Sequence, residues 1–335
     1  MSRTQLPTRL VAAVDVGATK TLVAVVTMTA HDEISEPVAR WRIRRLATDR
    51  DPDRHIASIA TVIGDLAAGA RVATVGFAAP GPLDPARGVI LNSPNLNWKY
   101  RPFGPTLAAL IGAPVRLEDD ANAGALGEAL LGAGAGCDPV VYLTLSTGVG
   151  AGVVVGGQIV RGAHQANGEI GHLAVDPAGP RCGCGGRGHV EAFVGGAGLA
   201  RRAAATWPSG ILDDGSAAPL DAAAILHLAR AGDPAAIRLA SDAVDALARA
   251  IAALSAVLDP GVVIVGGSLG LGQRALVRRA ATRARRLVIA EGGASLRVVP
   301  AAHGARSPLV GAAVLAATMA GSRAVGAGRR MEHPD

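Results

Sequence analysis

Short apolar runs alternate along the chain with Ala-rich stretches whose apolar positions recur at helical spacing. Arg9–Met28 reads as two strands around a tight turn. It is followed by a helix at His55–Ala68, a strand at Val72–Phe77, a helix at Pro105–Ile111, a strand at Val115–Leu117 and a helix at Asn122–Gly132. Val140–Leu145 opens a second half with another strand, and Pro308–Ala320 is a further apolar helix. Alternation of this type predicts an α/β fold, with mostly parallel sheets covered by helices.

The second half echoes the first. Val11–Val26 reads strand, DVGATKT, strand, and Val140–Val155 reads strand, LSTGVGAG, strand. Gly permits close backbone approach and Thr adds a hydroxyl. One Gly-rich hairpin is weak evidence for phosphate binding. Two of them, each opening one half of the chain, form a duplicated motif whose N–H groups and hydroxyls suit a phosphate chain.

The 335 residues suffice for two lobes. The expected division is a small α/β lobe over 1–120, to which the helix at 308–320 returns, a large α/β lobe over 121–307 and a disordered tail over 323–335. Half the residues are apolar but only 2% are aromatic, so small-residue packing is expected and a base-stacking surface is not. The net charge of +6 gathers in Arg274–Arg286 and Arg323–Arg330, which read as a solvated helix and tail; no nucleic-acid partner is expected. Three cysteines, two of them one residue apart, argue against a secreted disulfide framework. No signal peptide is evident, and the apolar stretch Ala243–Val265 is interrupted by Asp245, Arg249, Asp259 and Pro260, so it is no membrane span. A cytoplasmic enzyme is the expectation.

Candidate chemistry lies in four segments. APGPLD (Ala79–Asp84) and NSPNLNW (Asn92–Trp98) are rich in turn formers; Asn95 and the backbone near Gly81 are candidate contacts for sugar hydroxyls, or the two are plain loops. In LEDDANAGALGE (Leu117–Glu128), Asp119 or Asp120 stands between a strand and a helix. Either is a helix N-cap, or a carboxylate that accepts an alcohol's proton during phosphoryl transfer. GEIGH (Gly168–His172) precedes Cys182-Gly-Cys184, His189 and Glu191. His172, Cys182, Cys184 and His189 suit a closed tetrahedral zinc site, unless the segment is a Gly-rich loop with incidental His and Cys. Glu169 and Glu191 bracket the cluster and are placed to bind sugar hydroxyls. DPGVVIVGGSLG (Asp259–Gly270) is a buried-type strand ending in two glycines, suited to adenosine or to a tight turn.

Taken in order, these segments resemble the ROK family of sugar kinases and repressors, within the actin/hexokinase-like, ribonuclease H-like ATPase fold. The resemblance runs from about Leu10 to about Ala320 and is most specific at GEIGH and CGCGGRGHVEAF. It implies transfer of the ATP γ-phosphate to the 6-hydroxyl of glucose or a related hexose, with Mg²⁺ and a structural Zn²⁺. By the same resemblance Asp120 is the catalytic base. Glu169, His172 and Glu191 bind sugar, and His172 is also a zinc ligand. Asp15, Gly17, Thr19, Lys20, Thr147 and Gly148 lie in the two phosphate loops, and Gly266 and Gly267 in the adenosine motif. A homodimer or homotetramer is implied. Family repressors carry a helix-turn-helix ahead of the first phosphate loop, and the few residues before Leu10 leave no room for one, which disfavours a sugar-sensing regulator. A non-catalytic sugar-binding protein, or a kinase that takes its phosphate from polyphosphate, would also match this pattern of residues.

Departures from the family pattern are Ala18 for the usual Gly, Ser146 for Gly, His189 for the third zinc Cys, and Asp119 for the Asn before the catalytic Asp. Ionised Asp accepts hydrogen bonds but does not donate them. Beside glucose, an ammonium-bearing substrate such as 3-amino-3-deoxyglucose (kanosamine) is therefore an expected candidate, as in family kinases of antibiotic pathways.

Overall fold

The computed structural model describes residues 9–29, 34, 37–93, 96–212, 215–217 and 221–320. The chain divides into two compact units. One holds the chain up to Gly127, Gly156–Gln158 and the chain from Pro308; the other holds Glu128–Val155 and Ile159–Ser307.

In the first unit, β1 (Arg9–Val16) and β2 (Lys20–Met28) form an antiparallel hairpin with Val14 opposite Val23 and Asp15 opposite Leu22. β3 (Arg42–Ala47) continues the sheet on one side, while β4 (Val72–Ala79) pairs with β1 in parallel on the other. A small antiparallel sheet of β5 (Leu83–Asp84), β6 (Val89–Ser93) and β7 (Trp98–Arg101) follows, and β8 (Val115–Asp119) then pairs in parallel with β4. The main sheet therefore runs β3-β2-β1-β4-β8.

Helix α1 (Pro52–Ala67) connects β3 to β4 and α2 (Phe103–Ile111) connects β7 to β8. α1 begins earlier than its apolar spacing predicts. Asp51 caps it by accepting from the Asp53 and Arg54 N–H groups, and Pro52 supplies a preset φ at the first position. Its Ile56, Ile59 and Ile63 pack with Val14, Val23, Val75, Phe77 and Leu117 of the sheet. Helix α3 (Asp120–Leu131) starts directly at the end of β8.

The second unit repeats the plan. β9 (Val140–Leu145) and β10 (Val149–Val155) form a hairpin, β11 (Gln158–Ile159) extends its outer side, and β12 (Val262–Gly266) and β13 (Val298–Pro300) follow β9 in parallel. The order β11-β10-β9-β12-β13 reproduces that of the first sheet strand for strand. Between β11 and β12 come α4 (Val190–Val194), α5 (Gly196–Thr206), α6 (Ala222–Ala231) and α7 (Pro234–Leu258). Between β12 and β13 come α8 (Gly267–Gly272), α9 (Arg274–Ala284) and α10 (Ala290–Ser295). α7 buries Ala243, Leu247, Ala250 and Ile251 against Leu143, Val263 and Ala280. Small alanines allow close approach, and this explains a large core with few aromatic rings.

Helix α11 (Ser307–Ala320) closes the described chain. The Thr74 hydroxyl donates to the Ala316 carbonyl at 2.7 Å, tying it to β4. The tail expected to be disordered lies outside the described residues. Among the described residues, no helix is long and apolar enough to cross a membrane.

Candidate active site

In the first unit, the β1–β2 turn is closed by the Gly17 N–H donating to the Lys20 carbonyl at 2.9 Å. Ala18 and Thr19 at its tip are exposed. Ala18 does not need a positive φ, so the methyl in place of a second glycine is carried without strain. Asp15 stands half-buried at the end of β1, and burial pushes its carboxyl up to about 7 against the pull of Lys20. A divalent cation is the kind of partner that restores such a carboxylate's charge.

Asp119 ends β8 and its Oδ1 accepts from the Ala121 and Asn122 N–H groups at 3.0 and 3.4 Å. Asp119 is therefore the N-cap of α3, and Asp120 occupies the first helical position. Both are half-buried. Glu118, fully buried, accepts from the Asp119 N–H and the Asn122 amide, so three successive carboxylates share this corner.

Burial, the neighbouring Asp120 charge and Glu118 push Asp119 up to about 8, against the capping bonds. This points away from the expectation of an ionised Asp119. Desolvation and a like charge outweigh the helix N-terminus, and the protonated acid donates one hydrogen bond and accepts others, as Asn does. A Cβ on Gly81 would lie 3.1 Å from Asp119 Oδ2, so the APGPLD turn approaches this carboxyl closely. Asn95 lies outside the described residues.

In the second unit, the β9–β10 turn is formed by Ser146, Thr147 and Gly148, with the Ser146 N–H donating to the Gly148 carbonyl at 3.0 Å. The first N–H groups of α5, at Gly196 and Ala197, donate to the Ser146 and Thr147 carbonyls. Ser146 Oγ lies 3.0 Å from Ser268 Oγ, so the residue that replaces glycine joins this turn to α8. Gly267, at the β12–α8 turn, has φ +78°, and a Cβ there would strike the Leu145 backbone. The β12–α8 turn is thus packed directly on the β9–β10 hairpin.

The segment from His172 to His189 folds back on itself, with Ala174 bridged to His189 and Arg181 to Arg187. One donor atom from each of His172, Cys182, Cys184 and His189 falls within 4.8 Å of the others. Cys182 Sγ is 3.8 Å from His172 Nδ1, and Cys184 Sγ is 3.3 Å from His189 Nδ1. Zn–S and Zn–N bonds of about 2.3 and 2.0 Å give tetrahedron edges of about 3.3–3.8 Å. The donor set fits zinc, with His189 at the position where the resemblance expects a cysteine. With His172 Nδ1 turned to the cluster, its Nε2 lies 3.8 Å from Glu169 Oε2. Glu191, in α4, receives the Cys182 thiol at Oε1 and the Val149 N–H at Oε2.

Sequence patterns missed Glu128, which is fully buried and accepts from the Ala133, Ala302 and His303 N–H groups and the Ser307 hydroxyl. Its only signal was a carboxylate on the otherwise apolar face of a helix.

Comparison with known proteins decides the family. The ROK family profile matches residues 11–319. This chain belongs to the ROK family. A glucokinase of Thermotoga maritima is 38% identical over 220 residues, covering 64% of this chain and 69% of that protein. The crystal structure of a ROK hexokinase from Thermus thermophilus superposes with a TM-score of 0.78 at 34% identity, covering 92% of this chain and 97% of that one. A ROK glucokinase from Streptomyces griseus, solved with glucose and AMPPNP, gives 0.72 at 32% identity, covering 92% and 99%. This ROK protein has the actin/hexokinase-like fold, and it is an ATP-dependent sugar kinase.

Proposed function

We propose that this ROK kinase transfers the γ-phosphate of ATP to the 6-hydroxyl of a hexose, with glucose the first candidate. Asp120 accepts the hydroxyl proton while the oxygen attacks the γ-phosphorus and ADP departs. The turns at Gly17–Lys20 and Ser146–Gly148 supply N–H groups and the Thr19 and Thr147 hydroxyls to the phosphates, with Lys20 adding a positive charge. Gly266 and Gly267 receive the adenosine. Asp15 is the residue to hold Mg²⁺, which when bound neutralises phosphate charge. Glu169, His172 and Glu191 bind sugar hydroxyls. His172, Cys182, Cys184 and His189 hold a structural zinc that fixes their loop.

The observation that carries this reading is the division of labour between adjacent carboxylates. Asp119 Oδ1 accepts the capping bonds from Ala121 and Asn122, and Asp120 follows it at the first helical position. The relative solved with glucose and AMPPNP supports glucose and a nucleoside triphosphate as the pair. A coupled ADP-release assay with glucose, N-acetylglucosamine, N-acetylmannosamine and kanosamine, using ATP or polyphosphate as donor, tests it. Turnover confined to N-acetylated sugars would overturn the glucose assignment.

A second reading takes an amino sugar as substrate, on the ground that Asp119 stands where the family resemblance expects Asn. An ammonium group beside Asp119 would displace its proton and gain a charge-assisted bond to the carboxylate. The two readings separate by pH. With glucose, kcat/KM should fall as pH rises through about 8 and Asp119 loses its donor, whereas kanosamine should gain from the ionised form while its own amine stays charged.

A further inference from the structure

His55 lies in the first turns of α1 with 1% of its surface exposed. Its Nδ1 accepts the Asp49 backbone N–H at 3.3 Å, so in the neutral ring the proton sits on Nε2. Nε2 is 2.8 Å from the Thr21 hydroxyl, which is 3.0 Å from the Thr48 hydroxyl, which donates to the Gly17 carbonyl at 2.8 Å. Each hydroxyl has one proton, so the order of donors is fixed from the ring outward: His55 to Thr21, Thr21 to Thr48, Thr48 to Gly17. The Thr48 N–H also donates to the Thr19 carbonyl at 3.3 Å.

The end of this chain matters because of peptide geometry. In a trans peptide the carbonyl and the following N–H point in opposite directions. Holding the Gly17 carbonyl toward Thr48 aims the Ala18 N–H away from Thr48. We propose that the one-way hydrogen-bond chain from His55 through Thr21 and Thr48 sets the orientation of the Gly17–Ala18 peptide for phosphate, making all three positioning residues for the nucleotide. This rests on the reading of Gly17–Lys20 as a phosphate turn.

The surroundings hold His55 in one orientation. Its ring lies 5.5 Å, centroid to centroid, from that of buried Trp98, whose Nε1 donates to the Arg50 carbonyl at 3.0 Å. The charged groups near the ring are Asp49 and Asp51 from the preceding loop and Arg54 from α1. Arg54 pairs with both aspartates, while β2 and β7 present Thr21 and Trp98. Burial lowers the imidazole's pKa and outweighs the attraction of Asp49. Protonation would put a donor at Nδ1 against the Asp49 N–H and lose that contact, while Nε2–H would go on donating to Thr21.

Thr48→Val removes the last donor at nearly constant volume. It should raise KM for ATP about tenfold, leave the sugar KM within about twofold, and change Tm little; Thr48→Ser should recover most of the loss. An unchanged KM for ATP, equal damage to both substrates, or failure of Ser to rescue would overturn the proposal. Should the valine variant not fold, the wild-type imidazole decides. Nitrogen-15 NMR should show the Nε2–H tautomer for His55 at neutral pH, and an Nδ1–H tautomer would contradict the chain. A wild-type protein that binds no ATP would sink the phosphate-turn reading itself, leaving the tautomer result standing.

Discussion

Glu191 Oε2 accepts the Val149 N–H at 3.1 Å, while Oε1 of the same carboxylate receives the Cys182 thiol at 3.6 Å. One side chain thus joins the cysteine–histidine loop to the β9–β10 hairpin. The bond also explains the glycine in that turn, because a Cβ on Gly148 would lie 2.6 Å from Glu191 Oε2.

Gly148→Ala should therefore displace Glu191. As the proposed sugar-binding carboxylate, Glu191 misplaced by about 1 Å would cost on the order of a hundredfold in kcat/KM. Steady-state kinetics on the folded variant checks this, with the sugar KM expected to rise. Wild-type kinetics would show that the carboxylate's position is immaterial.

Stability should depend on pH with a definite sign. Asp119 and Asp15 keep their protons up to about 8 and about 7 in the folded chain. Both ionise near 4 when unfolded. Between these values the native state binds more protons than the unfolded state, so stability is lost as pH rises from about 4 toward about 8. Asp119→Asn should flatten this slope, with Tm declining less than in wild type by on the order of a few degrees. Scanning fluorimetry of both proteins across that range decides it; parallel curves would contradict the assignment.

Metal content tests the loop. Purified protein should carry about one zinc per chain, and Cys182→Ser or exhaustive chelation should release it and raise the sugar KM more than it lowers kcat. Burial pushes the free Cys182 thiol up, so zinc binding should release a proton as the thiolate forms. Mass spectrometry of the native protein and pH-stat titration provide the readings. Full activity in a zinc-free protein would reject a structural metal here.

Much of the fold was legible in the sequence because the duplicated hairpins announce themselves. Gly and Thr interrupt apolar runs at the same place in each half, and both strands around each turn form as the pattern predicts. β3 was not legible. Arg42, Arg44 and Arg45 make it a charged edge strand with little buried surface, so no apolar alternation marks it. The small β5–β7 sheet was hidden by turn formers, and its strands are too short for a period to emerge.

At the site, residue types revealed the candidates but left their roles undivided. The family resemblance gave Asp120 the role of base; the capping geometry gives Asp119 the N-cap, and burial beside a second carboxylate pushes its carboxyl up. His55 read as the start of a helix, because its partners Thr21, Thr48 and Trp98 are distant in sequence and meet it only through the fold.

The most direct test is sugar-dependent ADP release by wild type and by Asp120→Asn, with the product identified by phosphorus NMR. Wild type should yield hexose 6-phosphate, and the variant should lose about 10²–10⁴-fold in kcat while still binding sugar. Phosphorylation at another hydroxyl, or an Asp120→Asn variant that turns over like wild type, would contradict the central claim.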